Sequence, residues 1–265
     1  MKLRRLLLLY LFIVISCQTV PITGRQQLSI IPAGQILSMS ATSYSDFLSK
    51  HKVIKDTEDA RKVKRVGVRI QHAVEKYFSD HNLSDSLEGY KWEFNLVDDK
   101  AVNAWCMPGG KVVVYTGILP VTKDDKGLAV VMGHEIAHAV ANHGDERMSQ
   151  GLIAQMGGIA LSKALANKPK QTTDLFMTAY GIGTQVGVLL PYSRIQESES
   201  DRLGLIFMAM AGYDPHEAPE FWARMSSGKQ GTAPPEFLST HPADETRIRN
   251  LRSLMDEAMT YYRKQ

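Results

Sequence analysis

Within residues 58–78, apolar positions recur at Val63, Val66, Ile70, Val74 and Tyr77, and these steps of three and four lay one hydrophobic stripe along a helix. Residues 33–51 carry the same period through Ile36, Met39, Tyr44 and Leu48. At residues 90–96 the period drops to two: Tyr90, Trp92, Phe94 and Leu96 alternate with Lys91, Glu93 and Asn95, the pattern of a strand with one buried face. Pro108-Gly109-Gly110 is a turn between β-rich runs at 104–107 and 111–116, so a small antiparallel sheet is expected there. Residues 128–143 open with Leu128, Val130, Val131 and Met132 and predict a helix stopped by Gly144. Further helices are expected at 148–166, at 173–190 (a core helix whose glycines permit close approach), at 194–211 before Gly212, at 215–225 and at 244–263. The sum is a single α+β domain, mostly α, with its small sheet just ahead of the 128–143 helix.

Residues 1–16 stand outside this pattern. Lys2, Arg4 and Arg5 precede a largely apolar run at 6–16, too short for a spanning helix, which needs roughly 20 residues, but suited to a signal peptide. The run ends Val14-Ile15-Ser16-Cys17, which resembles a bacterial lipoprotein box and implies a lipid on Cys17 and anchorage to a membrane in the cell envelope. Gln18 is not the aspartate associated with inner-membrane retention, so the resemblance points to the outer membrane, facing the periplasm. Residues 17–32, rich in Pro, Thr and Gln, then read as a lipid-anchored tether, and 33–265 as the folded domain. Without residues 1–16 the 31 basic residues fall to 28, against 28 acidic, so no basic stripe remains to suggest nucleic acid. Of two cysteines only Cys106 would remain free; no intramolecular disulfide is available, and its neighbours Ala104, Trp105 and Met107 mark it as a buried apolar residue.

The chemistry is concentrated in Gly133-His134-Glu135-Ile136-Ala137-His138. Histidines four apart lie about 40° from each other on a helix, so His134 and His138 can ligate one ion, with Glu135 placed to take a proton from water. The flanks make the segment look buried, and a buried His-Glu-His set without a metal would leave costly unpaired polar groups. Zinc, one per chain, is the implied cofactor. A catalytic zinc needs a third protein ligand. His143, five residues after His138, would lie about 140° around the helix and reads as an exposed helix-end histidine. No acidic residue occurs from Gly151 to Leu161. The next acidic cluster offers Glu197 and Asp201 on one helix face, Glu197 as ligand and Asp201 behind a histidine, with Glu199 on the opposite side.

HExxH followed by Ser193, Arg194, Glu197 and Asp201 resembles the HtpX-like zinc metallopeptidases of the gluzincin type, a family that includes the CAAX prenyl proteases and periplasmic lipoproteins of outer-membrane quality control. Pro21-Ile22-Thr23-Gly24-Arg25, Asn103 with Pro108-Gly109-Gly110, Ala211-Gly212-Tyr213-Asp214-Pro215, and Thr240-His241-Pro242 with Arg247 fit in order. Ser200 stands where the family's E-x-E-A-D has alanine. Neither the transmembrane helices of the integral-membrane members nor the C-terminal repeats of some periplasmic ones are read here, which argues against prenyl-protein roles. The resemblance implies a zincin domain that cleaves unfolded or misfolded envelope proteins. It implies that His241 approaches the zinc, stabilising an oxyanion or keeping the enzyme latent, and Arg247 can pair with Glu197 or Asp201. In the family the strand after the Pro-Gly-Gly turn edges the cleft, so Lys111, Val113 and Tyr115, or the preceding 103–106 with Asn103, would pair with an extended substrate. The rival is a lipid-anchored, latent binding or chaperone-like protein using the same cleft. Oligomeric state is not legible.

Overall fold

The computed structural model describes residues 17–156, 169–180, 182, 193–227 and 236–262, and the first element among them is a hairpin. Strand β1 (Cys17–Thr19) pairs antiparallel with β2 (Gln26–Leu28). The turn between them is closed by Gly24 N–H to Val20 O and Val20 N–H to Arg25 O, with Gly24 at φ 71°, where a side chain would be strained. Residues 17–32 are therefore not a free tether. Val20, Gln27 and Ile31 are buried, and Arg25 reaches back to Glu146 and Glu199. The expectation rested on composition, and Pro, Thr and Gly serve a packed turn as well as a linker. The signal-peptide expectation for 1–16 lies outside the described residues.

Helix α1 (Ala33–Lys50) buries Ile36, Tyr44 and Phe47. After the short β3 (Val53–Ile54), Thr57 caps α2 (Glu58–Asp80) by accepting from Ala60 N–H, with Glu58 and Asp59 at the positive end of the helix dipole. The stripe Val63, Val66, Ile70, Val74 and Tyr77 is buried as expected. Three further strands follow, β4 (Glu93–Val97), β5 (Ala104–Met107) and β6 (Lys111–Tyr115), in the order β3-β4-β6-β5. The sheet is mixed rather than antiparallel. β5 and β6 form a hairpin around Gly109 (φ 80°) and Gly110 (φ 75°), but β6 runs parallel to β4, from Glu93↔Lys111 to Val97↔Tyr115. A period of two tells which face is buried and not which way the neighbour runs. The uninterrupted Val112-Val113-Val114 is the mark of a strand covered on both faces. Ala104, Cys106, Val112 and Val114 pack toward one core, and Trp105, Met107, Val113 and Tyr115 toward another with Tyr44, Phe47 and Phe176.

Beyond the short α3 (Leu119–Thr122), Asp124 caps α4 (Asp125–Val140), in which every residue from Gly127 to Val140 is buried. The helix ends earlier than expected. Asn142 at φ 59° turns the chain, and Gly144 already lies in α5 (His143–Met156), where a Cβ would sit 2.1 Å from the Tyr180 ring. Asparagine takes the left-handed conformation more readily than most residues, so it serves as the stop. Helix α6 (Pro169–Ala179) starts before the position expected for it; the remainder of the 148–166 and 173–190 expectations lies outside the described residues. Ser193 and Gln196 form a capping box for α7 (Arg194–Met210), and α8 (Glu217–Ser227), α9 (Glu236–Thr240), α10 (Glu245–Ser253) and α11 (Met255–Tyr261) complete the domain, with 244–263 divided at Leu254. Among the described residues no helix is long and apolar enough to cross a membrane.

α4 and α7 cross at two glycines. A Cβ on Gly133 would lie 3.1 Å from Gly204 O, and one on Gly204 would lie 3.0 Å from His134 N. Gly204→Val is expected to lower unfolding free energy by about 1–3 kcal/mol, the usual cost of overpacking, in a urea titration. An unchanged midpoint would mean that the crossing tolerates separation.

Candidate metal centre

The crossing brings the faces of α4 and α7 together. His134 and His138 come from one, Glu197 and Asp201 from the other, and His241 arrives from the turn after α9. One donor atom from each of His134, His138, Glu197 and His241 falls in a group spanning no more than 4.8 Å, and all four side chains are buried. His134 Nε2 is 3.0 Å from His138 Nε2 and 3.2 Å from His241 Nδ1; Glu197 Oε1 is 3.2 Å from His138 Nε2 and 2.8 Å from His241 Nδ1. Tetrahedral zinc bonds of about 2.0–2.1 Å would set donor atoms about 3.3 Å apart, so this spacing fits the ion. The environment fits as well. Glu197 Oε2 lies 2.6 Å from Arg247 Nη1 yet accepts no hydrogen bond, and Glu135 Oε1 is buried without a hydrogen-bond partner.

Behind these atoms stand the groups that aim them. His134 Nδ1 is 3.1 Å from Asp201 Oδ1, so its N–H points to the carboxylate and its Nε2 lone pair into the cluster. Arg247 donates to both Asp201 oxygens, at 2.7 and 2.9 Å, and stacks 3.5 Å above the Trp222 ring. Burial lowers the His134 and His138 pKa values, keeping both imidazoles neutral. Burial would raise Glu197, but Arg247, His241 and His138 hold it well below the usual carboxylate range. Asp201 is likewise lowered, because Arg247 and His134 outweigh its burial. Neutral imidazoles and an ionised carboxylate are what a divalent cation requires. Glu135 is pushed up to about 7 by burial, with Glu197 adding and His241 and Arg247 opposing. His241, 3.4 Å from Glu135 Oε1, is raised: burial lowers it, but Glu197 and Glu135 prevail.

His143 is not the exposed residue expected. It is fully buried, with Nδ1 2.9 Å from His138 Nδ1 and Nε2 3.1 Å from Glu199 Oε2. The 140° offset assumed one continuous helix, and the turn at Asn142 redirects the chain. Asn142 was the available signal. Glu199 does face away from Glu197, as expected, but into a second buried cluster rather than solvent.

The substrate strand also needs correction. β6 lies inside the sheet, so the backbones of Lys111, Val113 and Tyr115 are paired on both sides, to β4 and β5. Lys111 binds Glu93, and Tyr115 Oη accepts from Trp105 Nε1. Of the two edge strands, β3 and β5, it is β5 that packs beside α4. Asn103, which leads into it, donates to Glu236 Oε1 at 3.1 Å. Cys106 is buried, as expected, and burial raises its thiol pKa well above normal.

The sequence model of Peptidase family M48 matches residues 66–255, which include every residue of the cluster. The chain belongs to this family. Zinc is the metal of the M48 metallopeptidases, and the donor set suits it. The M48 chain is 37% identical over 198 residues to mitochondrial metalloendopeptidase OMA1 of Arabidopsis thaliana, covering 74% of this chain and 38% of that protein. It is 30% identical over 258 residues to metalloendopeptidase OMA1 of Homo sapiens, covering 96% and 48%. To the β-barrel assembly-enhancing protease of Escherichia coli it is 26% identical over 247 residues, covering 90% and 47%. The chain spans about half the length, or less, of these curated relatives.

Proposed function

We propose that this protein is a zinc metalloendopeptidase of the cell envelope, in which His134, His138 and Glu197 hold the metal and Glu135 is the general base. The observation that carries the reading is a buried Glu135 oxygen that accepts no hydrogen bond, beside the converging donors of His134, His138 and Glu197. Bound zinc supplies Lewis acidity toward a peptide carbonyl and a water. Glu135 takes the proton from the attacking water on its carboxylate and returns it to the leaving amine; burial, which pushes its pKa up, makes the carboxylate a stronger base than a solvated one. His241, held toward its protonated form, donates to the oxygen on which negative charge develops. Arg247 and Asp201 keep Glu197 and His134 in place.

The edge strand β5, with Asn103 at its entry, takes an extended segment by strand addition; this mode recognises backbone, so it favours unfolded or misfolded proteins. Relatives named as metalloendopeptidases and as a β-barrel assembly-enhancing protease support a quality-control role. The lipoprotein-box resemblance at Cys17 supports the lipoprotein branch of the HtpX-like enzymes and a lipid anchor, and Gln18 after it supports an outer-membrane position on the periplasmic side.

A second reading is supported by His241 itself. Its Nδ1 is a fourth donor in the cluster, and a fourth protein ligand would occupy the position that a catalytic zinc needs for water, making the protein latent or a binding protein. β-Casein cleavage by the purified protein, measured beside zinc content and with a chelator, tests the enzyme. Zinc-dependent cleavage is the expected result; bound zinc without cleavage favours latency. His241→Ala is expected to cut kcat by about a hundredfold if His241 stabilises the oxyanion. A rise in kcat assigns it to inhibition instead.

A further inference from the structure

His134 and His138 are backed differently. His134 turns its Nδ1–H directly to a carboxylate, Asp201. His138 Nδ1 meets another imidazole: His143 Nδ1 at 2.9 Å. Two facing ring nitrogens make a hydrogen bond only if one carries the proton. The other nitrogen of His143, Nε2, lies 3.1 Å from Glu199 Oε2, and a carboxylate there takes an N–H. His143 is then protonated at Nε2 and accepts at Nδ1, where Ser200 Oγ, 3.2 Å away, can also donate. His138 must donate from Nδ1, which leaves its Nε2 lone pair toward the cluster. Glu199 has two ligands of its own from the N-terminal hairpin: Thr23 Oγ1 on Oε1, and Arg25 Nε at 2.6 Å on Oε2. The outer nitrogens of Arg25 bind Glu146 at 3.1 and 2.8 Å, and Gln196 donates to the same carboxylate at 2.8 Å, so Arg25 links α5 to α7.

We propose that Arg25, Glu199 and His143 form a positioning relay that presents His138 to the metal, which makes the N-terminal hairpin part of the metal centre. The hairpin includes Cys17, so the segment that carries the proposed anchor also grips the ligand shell. The inference rests on His138 being a zinc ligand.

The test is the zinc dissociation constant, by competition with a chromophoric chelator, and the visible spectrum of the cobalt-loaded full chain. Glu199→Ala is expected to weaken zinc about tenfold, the low end for residues that orient a ligand, and to shift the cobalt bands. Arg25→Ala is expected to weaken it about threefold to fivefold, within that same mechanism one bond further out. Arg25→Lys should stay near the parent. If Arg25 acts through Glu199, the double variant is no weaker than Glu199→Ala alone. An Arg25→Ala protein with a lowered Tm but an unchanged zinc constant and cobalt spectrum overturns the proposal, as do additive losses in the double variant. Should Arg25→Ala not fold, Glu199→Ala and His143→Gln test the relay through the same spectrum: shifted cobalt bands support it, and unchanged bands in both overturn it. His138→Ala separates the two readings: retained parental zinc affinity there refutes the ligand assignment itself, whereas lost zinc with an inert Glu199 refutes only the relay.

Discussion

Glu135→Gln is expected to keep zinc while casein turnover falls at least about a hundredfold, the low end for losing a general base. The structure separates the two functions that this variant separates. Glu135 is the neighbour in sequence of a cluster residue, yet it contributes no atom to the converging donor set. Its Oε1 is buried, lacks a hydrogen-bond partner and lies 3.4 Å from His241 Nε2. Glutamine has the same shape and cannot take the proton, so packing and metal should survive while the chemistry stops. A hundredfold loss corresponds to about 2.7 kcal/mol of activation free energy. The pH dependence carries the same signature. The base works only when ionised, and burial places its pKa near about 7 in the protein alone. A bound cation favours the carboxylate and draws that value down, so the acid limb of kcat/KM should lie below pH 7, with activity rising as pH rises. Near-normal turnover in the glutamine variant would remove Glu135 from the mechanism, and loss of zinc would make it a ligand instead.

What could be read in the chain differs sharply between its parts. His134, Glu135 and His138 were legible because a helix converts a spacing of four into a shared face, whatever the rest of the fold does. Glu197 and Asp201 were legible for the same reason once a third donor was required. Nothing local related α7 to α4; that approach depends on Gly133 and Gly204, whose missing side chains let the backbones meet. The mixed sheet escaped because alternation encodes faces and not neighbours, and the substrate strand, which the resemblance alone put at the sheet edge, lies inside for the same want of neighbour information. His143 and Arg25 escaped for a common reason. Both belong to a partly buried cluster built from the hairpin, α5 and α7, and neither helical periodicity nor the composition of 17–32 encodes that meeting. Turn chemistry at Asn142 and Gly24 held the information that periodicity lacked.

Glu197→Ala and Glu199→Ala should part by more than an order of magnitude in zinc affinity, although the two carboxylates are two residues apart on one helix. Glu197 presents Oε1 to His138 and His241 at 3.2 and 2.8 Å within the donor cluster. Zinc held by four ligands is worth about 10–16 kcal/mol in small domains, so one ligand accounts for about 3–4 kcal/mol, or between about a hundredfold and a thousandfold. Its removal also strips Arg247 Nη1 of a partner at 2.6 Å in a buried site, which adds to the loss. Glu199 touches no donor atom; it acts on His143, and the orienting role assigned to it is worth about tenfold. Its 2.6 Å ion pair with Arg25 ties it to the hairpin. Zinc titrations of the two variants against one chelator decide the matter. Equal losses would mean that the carboxylate ligand has been assigned to the wrong side of α7, and a greater loss for Glu199→Ala would move the metal toward His143 and the hairpin.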